Sequence, residues 1–145
     1  MAEAPESPKT FTVSQANALL HRVQPLLEQL QGLQRSIVRT NQQISELTAK
    51  VTAGNGYPLK ALRQQIDDLT RHQLQLLEGF QSALQQFEDL GCLLKDLSMG
   101  LVDFYGTLRG EPVFLCWKQG EDRIRFWHAV DGGYAGRQPL EDASP

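Results

Sequence analysis

The chain has 145 residues, enough for one domain or one domain with an appendage, and a formal net charge of −3. Lys and Arg number 14 against 17 Asp and Glu, with no basic stripe on either helical segment, so nucleic-acid binding is not expected. No apolar run reaches the length of a membrane span and no secretory pattern is present, which makes a cytoplasmic location without membrane contact the expectation.

Residues 1–10 are polar, contain Pro5 and Pro8, and read as a disordered tail. Thr12 suits a helix N-cap, and Gln15 three residues on completes a capping box. From Ala16 the apolar residues recur at alternating three- and four-residue steps through Leu19, Val23, Leu26, Leu30, Leu33, Ile37, Ile44, Leu47 and Val51. Pro25 falls at an outward position, where it kinks a helix without spoiling the seam. The pattern breaks at Ala53-Gly54-Asn55-Gly56-Tyr57-Pro58 and resumes from Leu59 to Leu90, where Gly91 stops it.

Two heptad seams joined by a short Gly-rich turn predict a long antiparallel coiled-coil helical hairpin over 11–91, with its turn near 53–58. Thr40 and Gln73 are polar residues on the seam and set its register at some cost in stability. Leu20, Leu27, Leu77 and Leu84, beside Leu74, form a second apolar row near the open end. An apolar row of that kind needs cover, which predicts a homodimer joined through the hairpin base and the β unit.

After Gly91 the pattern changes from helical to alternating. Cys92 to Leu97, Leu101 to Leu108, Pro112 to Lys118 and Arg123 to Val130 read as strands. The short connections between them imply antiparallel pairing. The fold class is therefore α+β, a helical hairpin followed by a small antiparallel β-sheet unit over 92–140 that packs on the hairpin base, with 141–145 as a tail. The stretch from Asp131 onward reads as loop. In the last hairpin Phe114, Cys116, Ile124, Phe126 and His128 share one face, and Val113, Leu115, Trp117, Arg125 and Trp127 the other. Both faces are substantially apolar, so both are expected to be covered at least in part.

The two cysteines, Cys92 and Cys116, sit in apolar contexts and read as buried, reduced thiols. Neither has a His or Lys neighbour in the pattern, so neither reads as a nucleophile. His128 lies outside the helices and could join carboxylates such as Glu121, Asp131 and Asp103 around a divalent metal. By strand parity, however, His128 falls among core residues. Asp131-Gly132-Gly133-Tyr134-Ala135-Gly136-Arg137 is a Gly-rich loop ending in a cation, able to cradle an anion or to pair Arg137 with a nearby carboxylate. Trp127 and Trp117 lie on one face, placed to stack on a cation. His128, Asp131, Arg137 and Trp127 are thus the candidate ligand-binding residues, and Glu121, His128 and Asp131 the candidate metal ligands. No cofactor is implied.

The segments Gly100-Leu101-Val102-Asp103-Phe104, Phe114-Leu115-Cys116-Trp117, Gly120-Glu121, Phe126-Trp127-His128 and Gly133-Tyr134-Ala135-Gly136-Arg137 together resemble domain-of-unknown-function family 2203. The opening Phe11-Thr12-Val13-Ser14-Gln15-Ala16-Asn17 is similar to that family's start. The resemblance runs from Phe11 to Leu140 and assigns no catalytic residue. The expected function is docking of a protein partner, or of a second copy, through the hairpin and β unit, without enzymatic activity. The alternative is a small-ligand or divalent-metal site around His128, Asp131 and Arg137.

Overall fold

The computed structural model describes residues 9–54 and 56–140; the expected tails lie outside these residues except for Lys9 and Thr10. Two helices, α1 (Val13–Ala53) and α2 (Leu59–Asp89), precede five strands: β1 (Leu93–Asp96), β2 (Leu101–Leu108), β3 (Glu111–Lys118), β4 (Phe126–Ala129) and β5 (Gln138–Pro139). The fold is α+β, as the patterning predicts. Its contacts fall into two units. One runs from Gln29 to Leu84, and the other joins the residues up to Glu28 with those from Gln85 on.

In the unit from Gln29 to Leu84 the helices meet along the expected seam. Leu30, Thr40, Leu62, Gln73 and Ala83 are buried. The Gln73 amide donates to the Ile37 carbonyl at 3.0 Å and to Asn41 Oδ1 at 2.7 Å, so it ties one helix to the other at one register. The Thr40 hydroxyl instead turns back to the Ser36 carbonyl. Gln73 Oε1 is buried without a partner, a cost of about 1–3 kcal/mol that such register-setting residues carry. Of the second apolar row in this unit, Leu77 stands 46% exposed with Leu74 beside it at 56%, and Leu84 is half-buried.

The other unit holds the capping box, the end of α2 and the sheet. Thr12 N donates to Gln15 Oε1 and Gln15 N to Thr12 Oγ1, both at 3.0 Å, so α1 starts where its sequence signal places it. Gly91 closes α2 at φ 92°, a conformation glycine adopts without strain. The strands form a meander in sequence order, β1-β2-β3-β4-β5, and every pairing is antiparallel. The β1–β2 register shifts once. Leu94 faces Val102 and Asp96 faces Leu101, leaving Lys95 as an extra residue in a bulge.

Past the end of β1, Phe11 N donates to the Tyr105 carbonyl and so occupies the edge of β2 that β1 leaves open. The Phe11 ring meets Phe104 edge-on at 5.4 Å. Gly106 permits this crossing, because a Cβ there would stand 2.7 Å from the Phe11 carbonyl oxygen. One sheet face carries Val102, Phe104, Leu115 and Trp117, all buried, in the same unit as the buried Ala16, Leu20, Val23 and Leu27 of α1.

Beyond one-residue shifts at strand ends, the strand boundaries differ from the sequence reading at two places. The last long strand begins at Phe126 rather than Arg123, because Ile124 N donates to the Asn17 side chain on α1 instead of to a neighbouring strand. The stretch after Asp131, read as loop throughout, contributes β5, held by the Leu140 N to Arg125 carbonyl bond just beyond it. A two-residue strand has too few residues for an alternating pattern to register.

Candidate metal centre

The sheet face opposite Phe104 and Trp117 carries the chemistry. Register pairs Asp103 with Cys116 across β2 and β3, and Phe114 with His128 across β3 and β4. Residues paired across strands share a face, so Asp103, Cys116 and His128 converge on one side of the sheet. One ligand atom from each, a carboxylate oxygen, a thiol sulfur and a ring nitrogen, lies within 4.8 Å of the other two. All three residues are buried.

The hydrogen bonds fix the histidine. Nδ1 of His128 stands 2.8 Å from the Ala129 carbonyl, which can only accept, so Nδ1 carries a proton. Nε2 stands 2.9 Å from Asp103 Oδ2. A carboxylate oxygen and a bare ring nitrogen would repel at that distance, so one proton lies between them, on either the ring or the acid. The other carboxyl oxygen, Asp103 Oδ1, is buried without a hydrogen-bond partner. The residue is thus half satisfied, an arrangement that costs stability unless something else engages that oxygen.

Burial pushes the Cys116 thiol up to about 12, with the Asp103 carboxylate adding to the effect. Along the chain Cys116 has no histidine neighbour; the sheet supplies one. A thiol held that far above neutrality is nevertheless no free nucleophile. A bound cation would change this, since metals bind the thiolate.

A small cavity of about 90 Å³ opens over the three residues, lined also by Lys95, Leu101, Tyr134 and the glycines 132 and 133. Arg137 closes the loop beside it. Its guanidinium lies 4.1 Å from the centre of the Phe126 ring and 5.0 Å from that of Tyr134. Nη2 donates to both Glu121 oxygens, at 2.7 and 2.9 Å, and reaches the Cys116 carbonyl at 3.4 Å. Burial works against the Arg137 charge, but the Glu121 carboxylate more than offsets it and the pKa is raised. Glu121 is itself fixed, accepting from Lys118 N at 2.7 Å.

A family model described as "Uncharacterized conserved protein (DUF2203)" matches residues 9–140. The chain belongs to the DUF2203 family. No curated protein and no solved structure matches it. The matched segment of this DUF2203 protein contains the three converging residues as well as Glu121 and Arg137.

Of the candidates read from the sequence, His128 joins Asp103 and Cys116, and Arg137 pairs with Glu121. Asp131 is exposed on the loop, and among the described residues the group able to hold a metal includes neither it nor Glu121. Trp127 pairs with Leu115 and so points to the face away from His128. Cys116 is not among the candidates read from the sequence. Its shared parity with His128 was legible; carrying the register one strand further brings in Asp103.

Proposed function

We propose that this protein binds one divalent transition metal of the zinc class through Asp103, Cys116 and His128. The convergence of three buried ligand atoms of three suitable chemistries within 4.8 Å carries this reading. Imidazole and thiolate together select borderline and soft cations over magnesium or calcium. A tetrahedral zinc spaces its ligand atoms roughly 3.3–3.8 Å apart, so the His128 Nε2–Asp103 Oδ2 pair, at 2.9 Å, opens slightly as the metal replaces the proton between them. The His128 Nδ1 bond to the Ala129 carbonyl supports the reading as well, because ligating histidines donate their second ring N–H to such an acceptor and are thereby oriented. Three protein ligands leave a fourth tetrahedral position for water or a small ligand. Metal analysis of the protein after zinc loading and desalting tests this. One zinc per chain is expected, with loss in Cys116→Ser and Asp103→Asn; metal-free wild type overturns it.

A second reading rests on a different observation. Val38, Leu74 and Leu77 stand 53%, 56% and 46% exposed on the unit from Gln29 to Leu84, and a groove of about 350 Å³ runs along Arg35, Val38 and Arg39. A coiled-coil hairpin with such a surface suits docking, and a second copy in the cytoplasm is the occupant this reading names. Two buried free thiols accord with a reducing compartment.

A further inference from the structure

We infer that the open position of the Asp103–Cys116–His128 metal site takes a small monoanionic oxygen ligand of the carboxylate class, and that Lys95 is the residue that selects it. This rests on the metal reading above. The position of Lys95 on β1 is the first observation. Lys95 has no cross-strand partner of its own, and its side chain lines the cavity over the three ligand residues. Leu93 pairs with Asp103, so alternation along β1 puts Lys95 on the same sheet face as the cluster. Lys95 Nζ stands 4.5 Å from the centre of the Phe114 ring, and that ring packs 5.4 Å from His128. The ammonium is thus held near the cluster by an aromatic face.

Charge is the second observation. A divalent cation with one thiolate, one carboxylate and a neutral imidazole is electrically neutral. Arg137 is matched by Glu121. Among the described residues no salt bridge to Lys95 is found. Lys95, exposed at the cavity edge, therefore offers the neutral site one positive charge that a monoanion can meet. Volume is the third. The cavity holds about 90 Å³, and a water needs roughly 10–15 Å³ of such space. That matches a ligand of a few non-hydrogen atoms.

The test uses the full chain loaded with Co²⁺, whose visible spectrum reports its ligands, titrated with formate at constant ionic strength against chloride. A saturable spectral change is expected in the wild type. Lys95→Met should weaken the formate affinity at least tenfold with cobalt content unchanged, and Lys95→Arg should restore it to within a few-fold. Cobalt bound without a formate response, or equal formate affinity in Lys95→Met, overturns this inference alone. Failure of the chain to retain cobalt or zinc overturns the metal reading and this inference with it.

Discussion

His128 Nε2 and Asp103 Oδ2 face each other at 2.9 Å, from side chains only 3% and 2% exposed. A pair this deeply buried holds one proton between two groups, while the second aspartate oxygen stays unpartnered. Removing either member strands the other. His128→Ala is expected to cost about 1–3 kcal/mol in denaturant unfolding of the metal-free protein. The same variant should also lose the rise in melting temperature that Zn²⁺ gives the wild type, whereas phosphate and Mg²⁺ should shift neither. A zinc-dependent rise that survives in His128→Ala would remove the histidine from the site.

Both cysteine thiols are raised to about 12 from 9.0, chiefly by burial. The folded state therefore favours the protonated thiol. The resulting stability is intact below pH 9 and is lost as pH rises from there toward 12. Each thiol contributes a slope of at most about 1.4 kcal/mol per pH unit in that window. Urea unfolding at a series of alkaline pH values should show the decline, and it should be shallower in Cys92→Ala.

Metal binding runs the other way. The metal must displace the Cys116 proton, so apparent zinc affinity should rise with pH throughout the range below about 12. Displacing that proton alone gives roughly tenfold per pH unit. Competition titrations between pH 6 and 8 measure the slope, and a pH-independent affinity would exclude the thiolate as ligand.

Arg137 stacks between Phe126 and Tyr134 while bonding Glu121. Lysine keeps the charge but has neither the plane nor the fork. Arg137→Lys should therefore destabilise by about 1–3 kcal/mol. Glu121→Gln should cost less, since an amide oxygen still accepts. Equal stability of wild type and Arg137→Lys would show that the stacked pair contributes nothing net.

Gly106→Ala introduces a Cβ 2.7 Å from the backbone oxygen of Phe11. Backbone cannot yield there without breaking the Phe11–Tyr105 bond. A loss of about 1–3 kcal/mol is expected from such overpacking. Faster amide exchange at Phe11 in the variant, relative to wild type, would locate the damage.

The hairpin was legible because each helix repeats its own signal many times over. Thr12 with Gln15, the seam from Ala16 to Val51, and Gly91 at the end of α2 all appear where periodicity and capping place them. Gln73 was legible as a seam residue; that its amide would span to Ile37 and Asn41 was not, since the two helices are joined only in space. The candidate site was half legible. Parity put Cys116 and His128 on one face, but Asp103 lies a strand away, and the loop that was read with His128 and Asp131 as one cluster instead sends Arg137 to Glu121.

Local repetition along the chain suffices for two amphipathic helices, their turn, and strands whose alternation survives over several residues. Tertiary structure decided which side chains meet. Register between β2, β3 and β4 is a long-range pairing, and it alone brings Asp103, Cys116 and His128 within reach of one cation. The same holds for Lys95, which shares that face only because Leu93 pairs with Asp103, while the one-residue bulge re-aims Asp96. No period in the chain encodes that bulge, because it is the place where the period breaks.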